Sequence, residues 1–156
     1  MTRHELEAIR DNSESVENYI RSSKEKAPQF AERKSIYTLD EETVEEIRDH
    51  AGKVAVVAFS AEWCPDCHRN IPVLCLLNEA TGMDVRVFGH LMRDAKNPEE
   101  MWRIPPSPPE VKEFNVVRIP LIMVLNEHGE KVGEIVENPP EGLTLEEALL
   151  EILKTI

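Results

Sequence analysis

Two cysteines separated by two residues form the part of the sequence best suited to chemistry. Cys64 and Cys67 stand in the stretch 61–67, AEWCPDC. An apolar run precedes this stretch and a helical pattern follows it. A strand, a C-x-x-C and a helix in succession indicate a redox dithiol. The count of three cysteines leaves three chemistries open, namely thiol–disulfide exchange, redox sensing and metal binding.

The two sulfurs are expected to have different roles. A thiolate attacks a disulfide, so the nucleophile needs a site that stabilises negative charge. At the first turn of a helix, free backbone N–H groups and the positive end of the dipole would stabilise a Cys64 thiolate. Three-residue spacing brings Cys67 to the same side of that turn. We therefore predict that Cys64 attacks the substrate disulfide and that Cys67 resolves the mixed disulfide.

The residues around the cysteines modify this expectation. Pro65 suits the first helical turn, because the N–H that it lacks would be unpaired there. Trp63 and Pro65 could shield the sulfurs and offer an apolar surface to a substrate chain. The Asp66 carboxylate disfavours a neighbouring thiolate, whereas His68 and Arg69 could offset it. The sequence leaves the sign of the net effect on the pKa of Cys64 open.

A metal site explains the pair less well than redox chemistry does. A structural zinc needs four ligands, and only His68 and Cys75 lie nearby in the sequence. Cys75 falls on the apolar face of the helix, which is typical of a small core residue. No metal is expected, and the only redox group expected is a Cys64–Cys67 disulfide. The histidines other than His68 have no partner that the sequence identifies and are expected on the solvated surface.

The composition indicates a globular protein with one main domain. The chain has 156 residues, of which 41% are hydrophobic, and its formal net charge is -12. This charge argues against nucleic acid and anionic membranes as partners, because both require clustered Lys and Arg. No apolar run approaches the roughly 18 residues of a spanning helix, and the N-terminus lacks the apolar segment of a secretory signal. We expect a cytoplasmic monomer.

The elements that must position the cysteines follow the order β-α-β-α-β-β-α. The continuously apolar run 54–59 is typical of a central strand buried on both faces. Alternation over 84–88 predicts a second strand, joined to the first by a parallel crossover. Residues 121–125 and 131–136 are predicted to form a hairpin whose first strand lies antiparallel beside the central one. With a final helix capped by Thr144, these elements predict a three-layer α/β sandwich with a mixed sheet of about four strands.

Residues 1–37 are predicted to form an N-terminal helical extension, and 38–156 the main domain. The extension carries sparse apolar residues at helical intervals, which predict one or two amphipathic helices. Between the second predicted strand and the hairpin, Asn97 and Pro98 predict the start of another helix. A proline-rich loop follows at 103–109.

The stretch AEWCPDC after an apolar strand resembles the active-site region of the thioredoxin family. Residues 114–121, FNVVRIPL, resemble the segment that leads to the family's cis-proline, and the hairpin and terminal helix follow in the same order. The resemblance covers about residues 38–156.

The resemblance implies a thioredoxin-like fold and a thiol–disulfide oxidoreductase. Pro120 would be cis and face the two sulfurs, and the backbone of Ile119 would be presented to an extended substrate segment. The enzyme would reduce disulfide-containing proteins by dithiol exchange and receive electrons from a reductase. Around the cysteines, the residues expected to support the site are Trp63, Pro65, Asp66, Ile119 and Pro120.

Two differences from the family pattern affect the expected chemistry. The family often has a buried acid six residues before the first cysteine, which relays protons to the second; here this position is Ala58. Protons would then be handled by water, Asp66 or another group. The dipeptide Pro65-Asp66 replaces the Gly-Pro that is usual in thioredoxin, which leaves the reduction potential open.

Two other functions are compatible with the same fold. One is a binding or scaffold module that holds a partner through the acidic surface or the N-terminal helices. The other is a redox sensor, in which oxidation of Cys64 and Cys67 alters the affinity for a partner.

Overall fold

The computed structural model describes residues 4–93, 96, 102 and 105–156. The helix start predicted at Asn97 and Pro98 lies outside these residues, as does the beginning of the loop 103–109. In chain order the elements are α1 (Leu6–Asn12), β1 (Glu14–Ser15), α2 (Val16–Ser22), α3 (Pro28–Ile36), α4 (Glu41–Arg48), a 3-10 turn (Ala51–Lys53), β2 (Val54–Phe59), α5 (Pro65–Thr81), β3 (Asp84–Phe88), α6 (Glu110–Glu113), β4 (Leu121–Asn126), β5 (Lys131–Val136) and α7 (Leu145–Leu153).

The described strands form one mixed sheet in the order β1-β3-β2-β4-β5. β2 runs parallel to β3 and antiparallel to β4, so the predicted crossover and the predicted place of the hairpin are confirmed. Every residue of β2 is buried, as its uninterrupted apolar sequence requires. The sheet has one strand more than predicted, because Glu14 and Ser15 of the extension pair with Val87 and Arg86 of β3. The α/β class is confirmed.

Helix α5 carries both cysteines and lies at the centre of the helical packing. It contacts α2, α3, α4 and α7. It ends at Gly82, whose φ of 75° places the cap in the left-handed region that glycine tolerates best. Although α5 has 17 residues, neither it nor any other described helix is both long and apolar enough to cross a bilayer.

The N-terminal segment packs into the same hydrophobic core as the rest of the chain. Val16, Tyr19 and Phe30 are fully buried, and α2 and α3 both contact α5. Ser15 accepts the backbone N–H of Asn18 and caps α2. The boundary at 1–37 stays a prediction, but the segment clearly brings side chains to the helix that carries the cysteines.

Candidate active site

Cys64 is the residue at which α5 begins. It is the N-cap, directly before Pro65 at the first helical position, and its sulfur accepts the backbone N–H of Cys67 at 3.4 Å. A hydrogen bond from the Cys67 thiol, helped by the backbone N–H groups of Cys67 and Asp66, lowers the pKa of Cys64 to about 7. Burial and the Asp66 carboxylate act in the opposite direction but are outweighed. A large fraction of Cys64 is therefore thiolate at neutral pH.

Cys67 lies one turn further on and has the opposite chemistry. It is fully buried, and burial together with the nearby Cys64 raises its pKa well above the usual value. Once Cys67 is ionised, the backbone N–H of Ala61 and the hydroxyl of Ser60 can donate hydrogen bonds to its thiolate, which partly offsets this rise. Both cysteines are free thiols. The pair therefore combines a readily ionised sulfur with a protonated one, which fits the predicted nucleophile and resolving thiol.

The segment before β4 lies opposite the nucleophile. The Ile119–Pro120 peptide bond is cis, and the carbonyl oxygen of Ile119 lies 3.8 Å from the Cys64 sulfur. Both residues are buried, and the carbonyl of Pro120 accepts the backbone N–H of Glu137 at 2.8 Å. The structure therefore brings Ile119, which is distant in sequence, next to Cys64, and Pro120 follows it directly before β4.

A groove beside Cys64 is formed largely by two tryptophans. Trp63 is 46% exposed, and its ring stacks on that of Trp102 with centroids 5.9 Å apart. Each indole N–H is held by a backbone carbonyl, that of Leu91 for Trp63 and that of Val117 for Trp102. The groove has a volume of about 370 Å³ and is lined by Trp63, Cys64, Arg93, Trp102, Val117, Arg118, Ile119 and Glu137. It offers an apolar surface next to the nucleophile.

The polar side of the first turn of α5 is tied to the end of β5. Asp66 pairs with Arg69 at 3.2 Å, and Arg69 also donates to the side-chain oxygen of Asn138 at 3.0 Å. The buried amide of Asn70 donates to the backbone oxygens of Asp66 and Glu137 and to Asn138. The sequence analysis did not identify Asn70, because its partners come from a distant part of the chain.

A second set of residues lies behind Cys67, and the sequence analysis did not identify these residues either. The Tyr19 hydroxyl lies 2.9 Å from the Ser60 hydroxyl and donates to the Glu62 carboxylate at 2.9 Å. Glu62 also accepts the backbone N–H of His90 at 3.0 Å and its ring Nδ1–H at 2.6 Å. His90 is at the surface as expected, but it has a partner that the sequence did not reveal. His4 departs from the expected surface position, because its side chain is only 12% exposed and stacks on Phe114.

The other candidate ligands do not join the dithiol. The ring of His68 donates to the backbone carbonyl of Glu62 at 2.5 Å and packs edge-on against Phe30. Cys75 is 1% exposed, and burial raises its pKa to about 11, as suits a core thiol. Within the described ranges, no three His, Cys, Asp or Glu side chains are grouped so that they could hold a metal ion.

Comparison with known proteins gives one family and a shared fold. A family model described as thioredoxin matches residues 11–149, and no curated protein matches the sequence. A protein of unknown function from Pseudomonas aeruginosa is 16% identical, with a TM-score of 0.63 and coverage of 97% of this chain and 96% of its own. An HIV epitope scaffold is 17% identical, with a TM-score of 0.64 and coverage of 98% and 99%. Mitochondrial thioredoxin 3 from Saccharomyces cerevisiae is 25% identical over 74% of this chain and 89% of its own, with a TM-score of 0.42.

Proposed function

The chain belongs to the thioredoxin family, and we propose that it is a thiol–disulfide oxidoreductase that reduces protein disulfides through Cys64 and Cys67. One observation carries the proposal, namely the opposite behaviour of two thiols on one helical turn. The pKa of Cys64 is lowered to about 7, whereas that of Cys67 is raised. Dithiol exchange needs this division, since one sulfur must attack first and the other must wait in protonated form.

In the first step the Cys64 thiolate attacks one sulfur of a substrate disulfide. A bond forms between Cys64 and that sulfur, the substrate S–S bond breaks, and the second substrate sulfur leaves as a thiolate that takes a proton from water. The N–H groups of Cys67 and Asp66 stabilise the thiolate before attack. The carbonyl of Ile119, 3.8 Å away, limits the directions from which a substrate sulfur can approach.

In the second step Cys67 resolves the mixed disulfide. Its thiol loses a proton, its sulfur bonds to that of Cys64, and the substrate leaves as its second thiolate. The substrate disulfide has then gained two electrons, and Cys64 and Cys67 have lost them by forming a disulfide. No further cofactor is needed, but each cycle requires an electron-donating reductase or a dithiol to reduce that disulfide again.

The proposed substrates are proteins with an accessible disulfide in an extended segment. The groove beside Cys64 is lined by the stacked pair Trp63 and Trp102 and by residues 117–119 of the segment before β4. Trp63 and the 64% exposed Val117 give a substrate chain an apolar surface to cover. Such a surface favours a polypeptide over a very small disulfide, because only a polypeptide fills the groove and reaches Cys64 at once.

The proposal is tested by reduction of insulin with dithiothreitol, followed by turbidity. The wild-type protein is expected to accelerate the reaction, and Cys64→Ser to abolish the acceleration because it removes the nucleophile. Cys67→Ser is expected to accumulate a mixed disulfide that mass spectrometry detects on the intact protein. The matched control is Cys75→Ala, which removes a buried cysteine outside the pair and should retain activity.

Turnover by Cys64→Ser at the wild-type rate would contradict the proposal. Negligible reduction by the wild type, with partner binding retained in a double Cys64→Ser/Cys67→Ser variant, would favour a binding module instead. A difference in partner affinity between oxidised and reduced protein, again without turnover, would favour a redox sensor.

A further inference from the structure

The resolving thiol presents a problem that the dithiol alone does not solve. Cys67 is fully buried, and its thiol must lose a proton before its sulfur can attack. Ala58, also fully buried, provides no acid or base. Cys64 cannot accept the proton while it is bound to substrate, because its sulfur then has two covalent partners. Another group beside Cys67 must accept it.

Among the side chains that the structure describes, those whose hydrogen bonds affect the pKa of the Cys67 sulfur are Cys64 and the hydroxyl of Ser60. Ser60 is itself fully buried, and its Oγ lies 2.9 Å from the Tyr19 hydroxyl. Tyr19 has one proton, which it donates to the Glu62 carboxylate at 2.9 Å. Ser60 must therefore be the donor to Tyr19, which leaves a lone pair of Ser60 free to accept the Cys67 proton. In this row of hydrogen bonds each hydroxyl therefore donates towards Glu62.

The row of hydrogen bonds ends at Glu62, a group that can accept a proton. Hydrogen bonds from His90 and Tyr19 outweigh the effect of burial and lower the pKa of Glu62, so Glu62 is a carboxylate at neutral pH. Its side chain is 13% exposed, and that of its partner His90 is 49% exposed. The path therefore begins at a buried sulfur and ends at a carboxylate that reaches solvent.

Tyr19 is held rigidly in the middle of this path. Its ring is fully buried and packs against Phe30 with centroids 5.3 Å apart. On another side it lies directly on the backbone at Gly89, where an added Cβ would be 2.2 Å from the ring. Glycine is needed there to admit the ring. Because Tyr19 is in α2, the N-terminal segment supplies a component of the site.

We propose that Ser60, Tyr19 and Glu62 form a proton path that takes up the proton of Cys67 when the mixed disulfide is resolved. This inference rests on the proposed function of the dithiol. The Cys67 proton passes to Ser60, the Ser60 proton to Tyr19, and the Tyr19 proton to Glu62. The Cys67 sulfur then bonds to Cys64, and the substrate thiolate leaves with the electron pair of the broken bond. Glu62 returns its proton to solvent beside His90.

Ser60 contacts the reacting sulfur of Cys67, whereas Tyr19 and Glu62 act on that sulfur through Ser60. The titratable groups around the path are Cys64 and Cys67 at the start of α5, His68 on α5, whose ring contacts the Glu62 backbone, and Glu62 and His90 in the loops after β2 and β3. Lys26 lines a cavity with Glu62 and His90, and Glu14 of β1 lies 4.0 Å from His90. None of these other groups lies between the Cys67 sulfur and Tyr19.

The test follows the reaction of the reduced protein with dithionitrobenzoate in a stopped-flow instrument. Attack by Cys64 releases one thionitrobenzoate and resolution by Cys67 releases a second, so the two steps appear as separate phases. All variants carry Cys75→Ala to exclude a third release. The second anion leaves without needing a proton, so its rate reports the loss of the proton from Cys67.

Tyr19→Phe keeps the buried ring and removes the hydroxyl. We expect the second phase to slow by about 100-fold at neutral pH, which is typical of the loss of a proton-transfer group. Its rate should then rise in proportion to hydroxide concentration, while the rate and pH profile of the first phase stay unchanged. Ser60→Ala, which interrupts the path at the sulfur, should have the same two effects.

Tyr37→Phe is the matched control. Tyr37 also donates to a carboxylate, that of Glu146 at 2.6 Å, and burial raises its pKa as it does that of Tyr19. Its partner is on α7, so Tyr37→Phe should leave the second phase unchanged. Equal slowing of the second phase by Tyr19→Phe and Tyr37→Phe would show a general structural effect and overturn the path.

The remaining outcomes separate this inference from the proposed function. A wild type that releases both anions, with Tyr19→Phe identical to it in rate and pH profile, would overturn the path alone. A wild type that releases only the first anion would show that Cys67 does not resolve the mixed disulfide. In that case the proposed function would fail and the path would fail with it.

Discussion

Cys64 and Cys67 lie on one helical turn, yet the regions around their sulfurs have little in common. The Cys64 sulfur lines an open groove. Its thiolate is stabilised by the Cys67 thiol and by backbone N–H groups at the start of α5, and the Ile119 carbonyl lies 3.8 Å away. The Cys67 sulfur faces the protein interior, where Ser60 and the Tyr19 hydroxyl lie behind it. The C-x-x-C spacing puts the two sulfurs within reach of each other, but the surroundings decide which one ionises.

The two regions share the loops after β2 and β3, but each also draws on a different part of the chain. The groove at Cys64 is built from the loops that follow β2 and β3 and from the segment before β4. The region behind Cys67 needs α2, from the N-terminal segment, to supply Tyr19. A change on one side should therefore affect one step of the reaction and leave the other intact.

The largest expected difference between the two cysteines is in their rates of alkylation. At neutral pH iodoacetamide should modify Cys64 about 100-fold faster than Cys67, because thiolates react and the pKa of Cys64 is lowered, whereas burial raises that of Cys67. Cys64 has a pKa of about 7, so its rate should rise with pH, reach half of its maximum near that value and then level off. Peptide mass mapping over time measures both rates. Equal alkylation rates would show that the surroundings do not make the two thiols ionise differently.

The groove should matter for protein substrates and not for small ones. Trp63→Ala removes an exposed aromatic surface, so insulin reduction should fall by about tenfold, a typical loss for a tryptophan at a contact surface. The first phase of the dithionitrobenzoate reaction should change little, since that reagent does not fill the groove. Ile36→Ala is the control, because Ile36 is 76% exposed and does not line the groove. Equal losses with both substrates would show that Trp63 acts on the thiol itself.

The smallest effect is expected from the charge beside Cys64. The Asp66 carboxylate raises the pKa of Cys64, whereas its backbone N–H lowers it. Asp66→Asn removes only the first effect, so the pKa should fall and the thiolate fraction at neutral pH should rise by less than about twofold. Ultraviolet absorbance of the thiolate during a pH titration measures this. A higher pKa in the variant would mean that the carboxylate has another role, through its pair with Arg69.

Most of the sheet and its order could be predicted because the signals are local and repeated. The apolar run 54–59 indicated a buried strand, and each later element followed with its own cap or turn. β1 could not be predicted in the same way, because a strand of two residues, Glu14 and Ser15, has no periodicity. It exists because β3 offers a free edge to the extension.

The candidate site also has residues that local sequence signals identified and residues that depend on distant parts of the chain. The motif itself indicated Cys64, Cys67 and their immediate neighbours, and the family resemblance added Ile119 and Pro120. Nothing in the sequence connected Tyr19 to the dithiol. Its contacts with Ser60 and Glu62 span 41 and 43 positions of the chain, and a tyrosine within an amphipathic helix looks like an ordinary core residue.

The sequence by itself predicted the type of chemistry, because spacing, helix start and apolar strand are properties of neighbouring residues. It also determined the order of the elements that carry the dithiol. Only the tertiary structure decided the pKa of each thiol, because burial and hydrogen bonding depend on groups brought together from distant positions. The sequence also showed Ala58 where the family often has an acid. What lies beside Cys67 instead, a serine directly after β2 and a tyrosine from α2, was decided only by folding, because it brings together residues 41 positions apart.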